Sequence, residues 1–273
     1  MSRLGEFVLR KLSRDPSAPD YLPDHYVQKH QDPTAQIQFL ERTFPAIKAI
    51  LSGKRVLNIG CAEGQEALGI SMLGAREVCG IDIRIDRREN ERIRKKHPDR
   101  QLEFAFVDAH NLAFAAETFD AVITVDAFEH FADPYSVLKE SARVLKEDGR
   151  IFLTSGVWAH PWGSHMNFFT MVPWVQFLFS EATIMNVRRL YRSAGANRFS
   201  EVEGGMNKIG VRRLKKIVKQ LQLNTEYLNL RPVKGLKTLT RIPLVNEFFT
   251  GQIVAVLKKE LSRRPAALSG QPA

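Results

Sequence analysis

Between residues 54 and 155, short apolar runs alternate with charged, amphipathic stretches, and most runs end on glycine or an acidic residue. The pattern predicts strands over 55–59, 77–81, 102–107, 119–125 and 150–155. The intervening stretches predict helices over 66–73, 84–97 and 135–145, closed near Gly74, Pro98 and Gly149. Upstream, Ile37, Leu40, Phe44, Ile47 and Leu51 recur at helical spacing, which predicts a helix over 35–51 that Pro45 kinks or splits. Downstream, the pattern gives a helix over 184–193, a turn at Gly204-Gly205 and a basic helix over 211–221. In that basic helix Val211, Leu214, Ile217, Val218 and Leu221 share one face. Strands over 225–231 and 251–258 complete the series. Strands alternating with helices at this spacing specify an α/β fold, a doubly wound, mostly parallel sheet covered on both faces.

Three stretches stand outside the alternation. Residues 1–35 hold four prolines among many polar groups, and an N-terminal arm with little regular structure is expected. Residues 157–180 contain all three tryptophans, Trp158, Trp162 and Trp174, and no Lys, Arg, Asp or Glu; Pro161, Gly163 and Pro173 break them up. They read as part of an insertion, at about 157–207, into a domain spanning 36–260. A second amphipathic insertion, 235–251, sets Leu236, Leu239, Ile242, Leu244, Val245, Phe248 and Phe249 among basic residues. Residues 261–273 are expected to be a frayed tail.

Composition removes several classes. The two cysteines, Cys61 and Cys79, are too few for a disulfide scaffold or a four-cysteine zinc site, and both sit in strand-like apolar surroundings. No uninterrupted apolar run approaches the roughly 20 residues of a membrane span. The N-terminus mixes charges with apolar residues and lacks the apolar core of a secretory signal, so cytoplasm is the expected compartment. The net charge is +10, and residues 185–273 carry 18 Lys or Arg against 5 acids, which makes the rest of the chain slightly acidic. Such a field suits an anionic substrate, an anionic membrane surface or nucleic acid, or is simply a solvated basic face.

The chemistry concentrates at strand ends. The loop Gly60-Cys61-Ala62-Glu63-Gly64 follows the first strand and opens a helix, where backbone can turn sharply and approach a ligand. Asp82, Asp108 and Asp126 each follow a strand, so a doubly wound sheet brings all three to one crevice at its carboxyl edge. Asp82 lies 22 residues after Gly60, a spacing suited to accepting both ribose hydroxyls. Asp108 is placed for an exocyclic amine of adenine, with Ile83 and Ala109 to sandwich the ring. A dinucleotide site is a competing reading, but its Gly-x-Gly-x-x-Gly fingerprint is broken at Ala62, and the Glu63 charge opposes a pyrophosphate.

As an ordered set, Val56 to Gly64, Gly80-Ile81-Asp82, Val107-Asp108-Ala109, Phe119 to His130 and Val137 to Gly149 resemble the motifs of class I S-adenosylmethionine-dependent methyltransferases, over residues 54–156. The resemblance implies a seven-stranded sheet whose last strand runs antiparallel, and S-adenosylmethionine as cofactor. It implies that Gly60 to Gly64 hold the methionine part, Asp82 the ribose and Asp108 the adenine end, with Asp126 near the sulfonium and the acceptor. Asn58 stands where the family usually has an acid; an amide still accepts hydrogen bonds but brings no charge to the cofactor's cationic end.

Methyl transfer to oxygen also calls for a base. His130, His165 and Asp126 are the candidates for catalysis, with His160 and Glu129 behind them. His160 and His165 are five apart in a Pro/Gly segment rather than on a helix, so no metal is expected. The aromatic segment is expected to be a lid over the acceptor. The reading is a methyltransferase acting on a small-molecule hydroxyl, of a sugar or a secondary metabolite. The alternatives are a lipid or quinone methyltransferase at a membrane surface, an RNA or protein methyltransferase, and a non-catalytic cofactor-binding module. Against nucleic acid, no Asn-Pro-Pro-Tyr-type motif follows strand four and no RNA-binding module is evident. Oligomeric state has no signature.

Overall fold

The computed structural model describes residues 3–15, 32–192, 195–202, 205–233, 238–243 and 245–259. Seven strands form one sheet in the order β3-β2-β1-β4-β5-β7-β6. They are β1 (Arg55–Ile59), β2 (Glu77–Asp82), β3 (Gln101–Phe106), β4 (Phe119–Thr124), β5 (Leu145–Gly156), β6 (Leu223–Pro232) and β7 (Thr250–Lys259). β1 to β5 pair in parallel, and β7 runs antiparallel to both its neighbours, β5 and β6. The strand order reverses between β1 and β4, which is where such sheets leave a crevice for a ligand.

Successive residues of β1 face opposite cores, as the strand period of two requires. Val56 joins a core with Leu40, Phe44, Ile70 and Ile93, whereas Leu57 joins one with Val137, Leu138, Leu214 and Ile217. Helices therefore cover both faces. α2 (Pro33–Thr43), α3 (Ile47–Leu51), α4 (Gln65–Met72) and α5 (Arg87–Lys96) lie on the first; α6 (Pro134–Val144) and α9 (Val211–Gln220) lie on the second. The helix expected over 35–51 is split as Pro45 demands, with Ala46 in the left-handed region at φ 59° between α2 and α3. Asp86 caps α5 by accepting from the Arg88 and Glu89 N–H groups, so α5 starts three residues later than the charge pattern suggested.

The N-terminal stretch corrects the sequence reading. Residues 3–11 form a regular helix, α1 (Arg3–Lys11), not an irregular arm. α1 buries Leu9 completely in a third core with Met166, Phe169, Val175, Ile184, Met185 and Phe199. The Asn186 amide donates to Glu6 at 2.7 Å and the Arg14 N–H to the Phe169 carbonyl at 2.8 Å, fixing the helix on the insertion. The insertion itself contains α7 (Val175–Leu178) and α8 (Glu181–Arg188), the latter capped by Ser180 and begun three residues before the predicted start. Gly163 makes its first turn possible: a Cβ there would lie 2.2 Å from the Trp158 carbonyl oxygen. The second insertion, around 235–251, is described in part and contains α10 (Asn246–Phe249). Gly204, half of the predicted glycine turn, and the tail 261–273 lie outside the described residues. Among the described residues no helix is long and apolar enough to cross a membrane.

Candidate active site

A cleft of about 450 Å³ opens at the carboxyl ends of β1, β2, β3 and β4. Its walls include Gly60, Ala62, Asp82, Ile83, Asp108, Ala109, Asp126 and His130, so eight of the residues singled out in the sequence meet in one place. The volume falls within the range of small-molecule sites, about 300–1,000 Å³.

The glycine loop is held by strand β2. The Gly60 and Cys61 N–H groups donate to the Ile81 carbonyl at 2.8 and 3.1 Å, and the Ala62 N–H donates to Asp82 Oδ2 at 2.9 Å. The loop runs through left-handed backbone at Gly60 (φ 82°), Ala62 (φ 44°) and Gly64 (φ 91°). At Gly60 a Cβ would come within 2.7 Å of the Ala127 methyl, so glycine lets the loop close on the turn after β4. Asp82 Oδ1 accepts the Arg84 N–H at 2.7 Å, which pins the carboxylate at the mouth of the cleft.

Asp108 is oriented by a residue the sequence reading did not single out. His110 Nδ1 donates to Asp108 Oδ1 at 2.6 Å while its Nε2 accepts the Asp133 N–H at 3.0 Å, so the two contacts define one tautomer. The hydrogen bonds from the His110 backbone and ring hold the Asp108 carboxyl below the usual carboxylate range. Phe131 meets the His110 ring edge-on at 6.3 Å and adds an aromatic wall.

Asp126 sits at φ 48°, a left-handed conformation unusual outside glycine but tolerated by aspartate. Three contacts hold it there. Its N–H donates to Thr154 Oγ1 at 2.9 Å, Thr154 Oγ1 donates back to Asp126 Oδ1 at 2.8 Å, and Gln252 Nε2 donates to the same oxygen at 2.6 Å. Arg231 donates to Gln252 Oε1 at 2.8 Å and to Thr43 Oγ1 at 2.9 Å, which turns the Gln252 amide toward Asp126. β5, β6, β7 and α2 thus converge on one carboxylate. Nothing in the local sequence around Asp126 announces this chain.

Other expected residues lie outside the cleft walls. Asn58 is fully buried, and its amide donates to Glu66 Oε1 at 2.6 Å. Burial pushes Glu66 up to about 8, against the opposing hydrogen bond from Asn58. The carboxyl missing from β1 therefore has a counterpart in the first turn of α4, a residue the sequence reading passed over. Cys61 is buried with its Sγ under Gly80, and burial raises its thiol far above the ordinary range, so it packs rather than reacts. Gly64 is buried against Asn90 and Phe104, and Glu63 turns into a separate groove between α4 and α5.

The histidines divide. His160 Nδ1 accepts the Trp162 N–H at 3.1 Å, a contact internal to the insertion's first turn, and burial pushes the ring down to about 4. His165, at φ 57°, is brought beside His130 with ring centroids 5.3 Å apart. Burial, with His130 and His160 nearby, pushes it down to about 4 as well. His130 lies in the 3₁₀ turn Phe128–His130, clasped from the far end of the insertion. Asn207 donates its N–H to the Glu129 carbonyl at 2.9 Å and its amide to the Phe128 and Phe131 carbonyls at 2.8 Å each. Glu129, in the same turn, is buried, and burial together with the Asp126 charge pushes it up.

Residues 57–153 match a family model described as a methyltransferase domain. A 27-O-demethylrifamycin SV methyltransferase of Amycolatopsis mediterranei (strain S699) is 33% identical over 37% of the chain and 38% of its own length. A ubiquinone biosynthesis O-methyltransferase of Neisseria meningitidis (serogroup A / serotype 4A, strain DSM 15465 / Z2491) is 32% identical over 39% of the chain and 46% of its own length. The chain thus spans less than half the length of either relative. An S-adenosylmethionine-dependent methyltransferase structure from Mesorhizobium loti superposes with a TM-score of 0.53 at 16% identity, covering 79% of the chain and 96% of the other.

Proposed function

We propose that the protein transfers the methyl group of S-adenosylmethionine to a hydroxyl of a small molecule; the match of residues 57–153 to a methyltransferase-domain model and the seven-stranded sheet support this reading. The observation that carries this reading is the cleft itself, where the Gly60 loop, Asp82, Asp108 and Asp126 share one wall with His130.

The donor set fits the cofactor piece by piece. Asp82 presents a carboxylate for the ribose hydroxyls, and Asp108, with Ile83, Ala109 and Phe131 around it, suits adenine. The close contact of Gly60 with Ala127 keeps the loop backbone free of side chains where the methionine part would lie. Bound there, S-adenosylmethionine supplies an electrophilic methyl carbon. The chain's own residues then position the acceptor and ease loss of its proton. Asp126, held rigid by Thr154 and Gln252, places negative charge at the acceptor end. His130 donates through Nδ1 to the Gly205 carbonyl at 2.8 Å, so its Nε2 lone pair remains available toward an acceptor oxygen. The insertion reaches that end through His165, whose ring lies beside that of His130 with centroids 5.3 Å apart. By their names, the two relatives methylate oxygen in biosynthetic small molecules, which supports a hydroxyl acceptor.

The first test is calorimetric titration with S-adenosylmethionine; no binding at millimolar cofactor would sink the reading. Methyl-labelled cofactor with hydroxylated acceptors should then give a labelled ether and S-adenosylhomocysteine in equal amounts. Cofactor binding without turnover on any extract would instead indicate a non-catalytic module.

One observation favours an acceptor met at a membrane surface. α1 and the residue after it expose Leu4, Phe7 and Leu12 beside Arg3, Arg10 and Lys11, and the insertion exposes Phe177 and Leu178. Co-sedimentation with anionic but not neutral vesicles tests it. Label recovered in RNA or protein would redirect the assignment.

A further inference from the structure

The turn after β4 and the insertion bring together three groups that the sequence leaves 35 residues apart. Glu129, His130 and His165 each offer one ligand atom, and these atoms lie within 4.8 Å of one another. We propose that the three hold a divalent first-row metal ion beside the cleft and that the acceptor hydroxyl completes its coordination. The proposal rests on the hydroxyl-methylating reading for its acceptor, but not for the ion.

Four observations carry it. Glu129 is 5% exposed, yet its Oε2 has no hydrogen-bond partner. A buried carboxylate oxygen left this way is costly, and a purely structural Glu–His cluster would have satisfied it with an imidazole N–H. Glu129 makes no ion pair with a Lys or Arg among the described residues; the charged groups beside it are Asp126 and His130. Second, Gly156 is the residue that leaves the carboxylate its room, since a Cβ there would lie 2.9 Å from Glu129 Oε1. Third, His130 is already oriented as metal-bound histidines are: Nδ1–H donates to a backbone carbonyl, that of Gly205, and Nε2 is left as a lone-pair donor. Fourth, His165 makes no side-chain hydrogen bond with the described residues, although its backbone adopts φ 57°. Strain of that kind, about 1–3 kcal/mol, persists where a side chain must be aimed.

The donor chemistry narrows the ion. Two imidazole nitrogens and one carboxylate suit Zn²⁺, Co²⁺ or Mn²⁺ better than Mg²⁺ or Ca²⁺, which favour oxygen ligands. Three protein ligands leave coordination positions open, the arrangement of a catalytic rather than a structural site. His130 lines the cleft, so an open position faces the acceptor end. With the ion bound, the His130 Nε2 lone pair goes to the metal rather than to the acceptor, and the polarised hydroxyl loses its proton to solvent more readily. The sequence reading set a metal aside on the spacing of His160 and His165; the structure instead pairs His165 with the Glu129-His130 turn.

The test uses the full chain stripped with a chelator and titrated with Co²⁺, with Zn²⁺ competition, following visible absorption and metal content. One ion per chain at micromolar affinity is expected, with a Co²⁺ spectrum perturbed by a hydroxylated acceptor. Glu129→Gln and His165→Gln should each weaken binding at least tenfold, while S-adenosylmethionine affinity stays within twofold of the parent and circular dichroism shows the metal-free variants folded. Absence of stoichiometric binding at millimolar Co²⁺, Zn²⁺ and Mn²⁺, or binding indifferent to His165→Gln, overturns the site. If the cofactor binds normally in that case, only the metal falls; if the cofactor fails too, the methyltransferase reading falls with it.

Discussion

The region of the five parallel strands, residues 54–156, and the insertion, at about 157–207, solve different problems. The first builds its cleft largely from strand ends and a glycine loop whose position strand register sets, with Asp82 held by backbone N–H groups. The second builds from side chains, burying Leu9 of α1 with Met166, Phe169 and Phe199 in a core separate from both sheet faces. The methyltransferase-domain match falls within this first region, over residues 57–153. A site made from side-chain packing is particular to one chain. Cofactor binding should therefore depend on the first region and acceptor handling on the second, and variants can separate them.

The largest effect is expected from emptying the insertion's core. Leu9→Ala removes a fully buried side chain and should cost about 2 kcal/mol or more of stability, capped by the undocking of α1. Thermal melts should show it, with S-adenosylmethionine affinity within twofold of the parent. Equal losses of both would merge the two regions. Asp82→Ala is the converse. Removing a carboxylate from charge-assisted bonds to a ligand costs about 1.5–3 kcal/mol, so cofactor affinity should fall roughly 10–100-fold with the fold intact by circular dichroism. Gly163→Ala should destabilise by about 1–3 kcal/mol, because its Cβ would meet the Trp158 carbonyl oxygen at 2.2 Å, and should raise acceptor KM more than cofactor Kd.

The last effect concerns pH. Glu66 stands at about 8 in the folded protein against an ordinary value of 4.5, so between these limits the unfolded chain has released a proton that the folded chain keeps. Its contribution to stability accordingly falls as pH rises from about 4.5 to 8. Glu66→Gln should erase that slope, giving a melting temperature that gains on the parent by about 2–4 °C per kcal/mol toward pH 8 and matches it near pH 4. A constant gap across the range would show that Glu66 is ionised in the folded protein.

What the sequence disclosed follows the same division. Strands with a period of two and helices with a period of 3.6 are local signals, and β1 to β4 and their helices appear within a few residues of expectation, whereas β5 begins at Leu145, five residues before the expected start, and runs through Gly149. Asp82, Asp108 and Asp126 were legible because a strand end is a topological address. α1 was hidden by prolines: Pro16, Pro19, Pro23 and Pro33 dominate the composition of residues 1–35, but all follow the helical turn pattern of Arg3–Lys11. Glu66, Thr154, Arg231, Gln252 and Asn207 were not legible, because each acts through a partner distant in sequence. Glu129 read as part of a motif; that its Oε2 is buried and unpartnered is visible only in three dimensions.

The placement of β7 has a consequence for how the chain is made. β7 is added to the sheet last in sequence but lies between β5 and β6. During synthesis β5, with Ile151, Phe152 and Leu153, emerges about a hundred residues before the strand that covers its edge, a long interval for an apolar edge to remain open to wrong pairing. Gln252 arrives on the same late strand, so Asp126 acquires its final contact only when that strand closes the sheet. A nascent chain interrupted before Thr250 would carry every recognisable cofactor motif without a finished site, and competence to bind ligand would report that the ribosome had passed this point.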